Sequence, residues 1–322
     1  MAIYTKLSEN NLKEFFLKYN LGKLLNYKGI QEGIENTNYF IQTDKGKFIL
    51  TVYEKRVEEK DLPFFMGLMK NLFDANFPSP EPIINKNGNY VTEISGKKAA
   101  VVSFLDGSAK KNLNPNDCHK VGIQAAKLHL ITKNLIGKRE NKLSVNSWRK
   151  IYKKVQKDCS RIHLNLTKTI EKNLDEIENN WPKNIPSGII HADLFPDNIF
   201  FKDDKLTGII DFYFSCYDFY VFEIAICLNA LCFEGQKENL SFNVTKAKKF
   251  IDGYSSIKKL TEEEKKSLKI LCQGAAMRFL LTRVFDYLNL TEGALVKIKD
   301  PIEYLKRLEF HNSVKDHQDY FF

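Results

Sequence analysis

The sequence predicts an α+β protein of two lobes: a small antiparallel sheet with one helix over residues 1–104, and a larger, mainly helical lobe over 105–322. Three observations lead there. The 322 residues exceed what one common core holds. Short β-type runs separated by turn residues fill the first hundred positions, and helical periodicity dominates afterwards. Within the second part a polar loop, "GIIHADLFPDNIFF" at positions 188–201, lies between two apolar runs.

In the small lobe "LLNYKGI", "NTNYFIQT" and "KFILTVYE" read as strands, with Asp44 to Gly46 turning between the second and third. "DLPFFMGLMKNLFDANF" reads as a helix with Asp61 as N-cap and Pro63 in its first turn, ended by prolines 78, 80 and 82. "NYVTEI" and "KAAVVSFL" follow the turns at Asn87-Gly88 and Ser95-Gly96. Beyond Gly107, Asn114 and Pro115 open a helix, and two amphipathic helices cover about 147–158 and 165–181. After the polar loop, "KDDK" leads to a strand "LTGIIDF", and helical patterns resume near Phe219. Thr261 and Glu264 fit a capping box for the long helix carrying "GAAMRFLLTRVFDYL".

With 43% hydrophobic residues and 24 phenylalanines the chain can fill a sizeable core. Its net charge of +9, from 49 basic against 40 acidic residues, is spread over scattered lysines. No basic run or groove-reading motif accompanies it, so a nucleic-acid partner is not expected. No apolar run approaches a membrane span, and the N-terminus lacks an apolar leader core. Six cysteines show neither a CxxC pair nor zinc spacing, so a reduced, cytoplasmic protein is expected.

The loop carries the chemistry. Taken as a hairpin turning near Asp203-Asp204, "IFFKDDKLTGIID" returns Asn198 close to the level of Asp211, while Asp193 stands five residues before Asn198. Two carboxylates and a carboxamide are hard oxygen donors, the set that suits Mg²⁺ shared with phosphate oxygens. An Asp to accept a hydroxyl proton, an Asn five residues on, and an Asp on the next strand fit phosphoryl transfer. Protein kinases follow the same logic with H-R-D-x-x-x-x-N and D-F-G. By itself His191 reads as ordering the loop through hydrogen bonds, and Asp197 as a surface residue.

These residues resemble the aminoglycoside phosphotransferase and choline kinase superfamily, whose loop reads H-G-D-x-x-x-x-N followed by I-D, and which has a bilobal, protein-kinase-like fold. More narrowly, "YKGIQEGIENTNYFI", "FILTVYEKR", "GIIDFYFSCYD", "RFLLTR" and "GALVKIKDPIEYL" resemble the bacterial homoserine kinases built on that fold. The resemblance implies ATP as co-substrate, Mg²⁺ as cofactor and L-homoserine as the small-molecule acceptor. Asp193 would be the catalytic base, and Asn198 and Asp211 would hold Mg²⁺. The turn containing Gly33, Asn36, Thr37 and Asn38 would cover the phosphates, a role that competes with that of an ordinary β-turn. The backbone of Ser103, Phe104 and Leu105 would meet the adenine. Other acceptors of the same fold (choline, ethanolamine, an aminoglycoside or a thio-sugar) stay open, as does a nucleotide-binding regulator without turnover.

Three departures stand out. Ala192 replaces the usual glycine. Thr51 occupies the strand position where a Lys or Arg is expected, with Lys55 two steps along the same face or simply solvated. Glu223 in "FEIA" replaces an Asp. For the acceptor, Asp218 is a candidate for the ammonium, and Arg278 and Arg283 for the carboxylate. Their competing structural reading pairs the arginines with Asp286 or Glu223, since a charge inside an apolar helix is costly alone.

Overall fold

The protein is described here by a computed structural model covering residues 4–31, 36–54, 57–135, 137–235, 239–289 and 299–320. Gly33 and Lys55, singled out above, lie outside the described residues. In chain order the elements are α1 (Glu9–Phe16), β1 (Leu24–Ile30), β2 (Thr37–Thr43), β3 (Gly46–Val52), α2 (Leu62–Asp74), β4 (Pro82–Ile83), β5 (Val91–Ile94), β6 (Lys97–Ser103) and β7 (Ser108–Ala109). There follow α3 (Pro115–Ile131), α4 (Val145–Val155), α5 (Leu166–Asn180), β8 (Ser187–Ile190), β9 (Ile199–Lys202), β10 (Lys205–Ile209) and β11 (Cys216–Phe219). The chain continues through α6 (Tyr220–Leu231), β12 (Phe233–Glu234), β13 (Ser241–Phe242), α7 (Val244–Ser255), α8 (Glu262–Leu288) and α9 (Ile302–Ser313).

Two compact units result. The first comprises residues 1–108, 135–137 and 200–213, the second 109–134, 138–199 and 214–322. A single cut after residue 104 was expected; instead residues 200–213 pack with the first unit. Ile209 donates its amide to Pro78 O at 2.7 Å, and Tyr213 packs edge-on against Tyr53 and Phe65.

In the first unit the strands run in the order β1-β2-β3-β6-β4, with β5 also pairing β6. One face buries Tyr39, Ile41, Phe48, Leu50, Val52, Ala99 and Val101 against Leu12, Phe15 and Phe16 of α1. That helix is a correction, because one helix was expected in the first hundred residues. It is too short for its periodicity to stand out, yet Ser8 and Asn11 cap it reciprocally and its apolar side is buried. Asp61 differs from expectation too. A 3-10 turn precedes α2, so Asp61 is already helical (φ −87°, ψ −15°) and its side chain caps nothing.

The second face of the sheet follows from the register, which aligns Asn38 with Thr51 and Ala100, and Phe40 with Ile49 and Val102. It is therefore apolar toward Phe104, whose ring meets Phe40 at 5.4 Å, and polar toward Asn38 and Thr51.

The second unit is helical apart from the short β8–β11 and β12–β13 ladders. Asn114 and Thr261 cap α3 and α8 as read from the sequence, each with its reciprocal partner at the third helical residue. The strand β11, which sequence reading left unassigned, pairs antiparallel with β8, placing Cys216 opposite Ile190. Its aromatic run masked the alternation. The six cysteines are free and buried. Among the described residues no helix is long and apolar enough to cross a membrane.

Candidate active site

The loop after β8 begins in a strand buried from Gly188 to Ile190. Gly188 has no side chain for a steric reason: an added Cβ would lie 2.1 Å from Tyr220 Oη. At its end Ala192 takes φ +64°, a left-handed conformation that glycine adopts freely and alanine only with support.

The support comes from two buried charges. Glu223 of α6 accepts the amides of His191 and, at 3.0 Å, Ala192. Arg278 of α8 donates Nη1 to Ala192 O at 2.7 Å. One peptide segment is thus gripped at its N–H groups by an anion and at its carbonyl by a cation. Burial pushes the Glu223 carboxyl up to about 7, against the two amide bonds and Arg278, which favour its ionised form. Glu223 Oε1 and Arg278 Nε are buried with no hydrogen-bond partner, so the grip is not fully satisfied.

Downstream, His191 Nδ1 accepts the Asp193 amide at 3.2 Å, which requires that nitrogen to be unprotonated. Asn198 Nδ2 then donates to Asp193 O at 2.9 Å and to Asp193 Oδ2 at 3.1 Å. The five-residue spacing is closed by a 3-10 turn, Pro196–Asn198, with the Phe195 amide bonded to Asp193 O. One oxygen of Asp193 is therefore aimed by Asn198. With its nitrogen spent, Asn198 turns its carbonyl oxygen away from Asp193, a hard donor compatible with Mg²⁺. Among the described residues no three His, Cys, Asp or Glu groups cluster as a metal cage.

In the first unit Asp211 follows β10 with φ +66°, after a turn in which Asp203 and Asp204 are also left-handed. Two residues on, Tyr213 accepts from Tyr53 Oη at 3.1 Å and is hydrogen-bonded to Thr51. Thr51 Oγ1 donates to Asn38 Oδ1 at 2.8 Å. A ladder of neutral groups thus stands where a strand lysine was expected. Lys97 is no substitute, because it pairs with Glu54 and Thr5 on the face that α1 covers.

Of the nucleotide candidates, Asn36 and Thr37 commit their side chains to structure. Asn36 Oδ1 accepts the Glu54 amide, and Thr37 Oγ1 accepts from Tyr4 and Thr5 and donates to Glu54. At the sheet end the Ser103 amide donates to Glu81 O and the Phe104 amide to Lys47 O. Leu105 has no such bond among the described residues. Asp218 accepts from Asn141 at 2.6 Å and from the Phe219 amide at 2.7 Å, and burial pushes its carboxyl up. Arg283 pairs with Glu303 at 2.9 Å. Sequence reasoning missed Tyr53, Tyr213 and Asn141, whose partners are distant along the chain.

A family model described as "phosphotransferase enzyme family" matches residues 26–256. The chain belongs to the phosphotransferase enzyme family. Within that family it is similar to the homoserine kinase of Beijerinckia indica, 46% identical over 98% of this chain and 97% of the relative. It is likewise 45% identical to that of Nitrobacter hamburgensis, over 99% and 97% of the two chains. Among solved structures an amicoumacin kinase aligns with a TM-score of 0.70 at 15% identity, over 97% and 95% of the two chains. A spectinomycin phosphotransferase aligns with a TM-score of 0.66 at 13% identity, over 98% of each chain. At such identities these two establish the phosphotransferase fold alone.

Proposed function

We propose that this phosphotransferase is an ATP-dependent homoserine kinase, transferring the γ-phosphoryl group to the side-chain hydroxyl of L-homoserine in threonine biosynthesis. The observation that carries the reading is the pairing of Asp193 with Asn198 on a loop held by two buried charges. Full-length similarity to homoserine kinases points to the acceptor.

Asp193 orients the acceptor hydroxyl and takes its proton as the oxygen attacks the γ-phosphorus. ADP departs, and the products are O-phosphohomoserine and a proton. Asn198 and Asp211 are the residues that would hold Mg²⁺, which when bound neutralises charge on the phosphates. Asn198 also keeps one oxygen of Asp193 aimed. Arg278 acts through the loop in this reading, and Asp218 through its bond to Asn141.

For the nucleotide, the second face of the first unit's sheet offers an apolar end at Phe40, Ile49 and Val102, with Leu105's open amide beside it, for the base. At its polar end Thr51 fixes the Asn38 carboxamide by donating to its oxygen, which leaves the Asn38 Nδ2 as a neutral donor suited to phosphate. Six unpaired, buried cysteines suit a reducing, cytoplasmic setting.

Coupled ADP release with Mg²⁺ and ATP across homoserine, choline, ethanolamine, threonine and kanamycin tests the reading. Homoserine-dependent turnover should fall about 10²–10⁴-fold in Asp193→Asn while nucleotide binding persists. Wild-type turnover in a folded Asp193→Asn protein would overturn the assignment of the base.

A further inference from the structure

The helix α8 carries two arginines five residues apart with different fates. Arg278 is spent on the loop carbonyl. Arg283 is half engaged: Nη1 donates to Asp300 O and to Glu303 Oε2, both at 2.9 Å. Among the described residues its Nε and Nη2 make no hydrogen bond, and the side chain keeps 11% of its surface exposed. Its guanidinium lies 4.4 Å from the ring centroid of Tyr304, a contact that holds the planar group in one orientation. Half of the fork is fixed and half is open.

Tyr304 is fully buried, and its hydroxyl has no hydrogen-bond partner. An unmet buried hydroxyl costs roughly 1–3 kcal/mol. The ring lies 5.1 Å from Phe279, which lies 5.0 Å from Phe195, two residues after Asp193. Two ring contacts therefore connect Tyr304 to the catalytic loop. Burial raises the phenol's pKa, Arg307 and Arg283 lower it, and Asp193 raises it again, so the proposed base lies within electrostatic reach.

Arg307 lies 4.6 Å from the same ring and 3.8 Å from Glu303. One carboxylate thus serves two guanidinium groups. Arg307 also donates to Asn229 O and Glu303 O, so the donors short of an acceptor are the free half of Arg283 and the buried Tyr304 hydroxyl. A second carboxylate would meet both needs, and bidentate carboxylate recognition is what an arginine fork does well.

We propose that Arg283, braced on Tyr304, binds the α-carboxylate of the acceptor and so selects an amino acid over an amino alcohol. The Tyr304 hydroxyl donates to the same carboxylate once the acceptor displaces the groups that seal it. The inference rests on the homoserine reading of the preceding section.

The experiment compares homoserine with 3-aminopropan-1-ol, the same molecule without its carboxylate. The wild-type enzyme should prefer homoserine strongly. In Arg283→Met, KM for homoserine should rise about 10–100-fold, the range for a lost charged hydrogen-bonding partner. KM for ATP and kcat/KM for 3-aminopropan-1-ol should stay unchanged. Tyr304→Phe, which removes one oxygen and keeps the ring, should raise the homoserine KM several-fold with the same pattern. Folded variants that retain wild-type discrimination overturn the proposal. A wild-type enzyme that uses both acceptors equally overturns the carboxylate site and leaves a homoserine kinase. One that phosphorylates other alcohols but not homoserine overturns the homoserine reading and this site with it.

Discussion

The two units solve the same problem with opposite chemistry. In the first, Asp211 is flanked by a ladder of neutral groups, Tyr53, Tyr213, Thr51 and Asn38. In the second, the loop before Asp193 is held by buried Glu223 and Arg278. Neutral hydroxyls that bond to one another lose little on leaving water and hold their shape at any ordinary pH. Buried charges cost far more to desolvate, but each can pin one strained peptide. The costly device grips the left-handed Ala192, and the mild one flanks the left-handed Asp211, where a strand lysine was expected.

Breaking the charged grip should have the largest effect. Glu223→Ala orphans the His191 and Ala192 amides, Arg278→Ala orphans the Ala192 carbonyl, and each leaves the other buried charge without its opposite, so unfolding in urea should show a loss of about 3–5 kcal/mol. Turnover should fall in whatever fraction remains folded. A loss below about 1 kcal/mol would mean that the two charges are solvated or replaceable.

The pH dependence separates the devices further. Glu223 titrates near 7 in the folded protein against 4.5 in the unfolded chain. Across that window the native state holds a proton that the unfolded chain has released. Its contribution is thus complete below pH 4.5 and is lost as pH rises through about 7, worth roughly 3 kcal/mol at most. Buried His129 and His311, pushed down to about 3 by desolvation, give the opposite slope between about 3 and 6.5. Subtracting the melting curves of Glu223→Gln from those of the wild type removes the histidine contribution. The difference should grow in favour of the variant from pH 5 to 8.

Smaller effects belong to the ladder. Asn38→Ala deletes one neutral hydrogen bond, worth about 1 kcal/mol, and should raise the nucleotide KM roughly fivefold; Tyr213→Phe deletes two, to Tyr53 and Thr51, and should raise it further. The homoserine KM should not move, and mant-ATP binding should weaken in parallel. An equal shift in both KM values would show that the ladder holds the whole fold rather than the nucleotide side. Smallest of all is the exposed pair of Lys98 and Glu93, where Glu93→Gln should leave the melting temperature unchanged within error.

How much was legible in advance depended on the range of the interaction. Asn114, Thr261 and the turn at Asp203-Asp204 act within a few residues, so residue type and spacing announced them. The loop from His191 to Asn198 was legible for the same reason, since its internal bonds span two to five positions. Glu223 reaches back 31 residues and Arg278 reaches 86. Tyr53 and Tyr213 meet across 160. Nothing local marks such partners, and both arginines of α8 looked alike from the sequence.

By itself, then, the sequence determined most of the strands and helices, though not α1 or β11, and the loop that carries Asp193 and Asn198. Local propensity, capping and hydrogen bonds of short reach are sufficient for those features. Only the tertiary structure decided which arginine is spent and which stays half open. It also decided what stands in place of the strand lysine, and how residues 200–213 join the first unit. Those outcomes depend on which distant groups share a low-dielectric interior, where an unpaired polar atom is expensive and its partner is chosen by packing rather than by spacing.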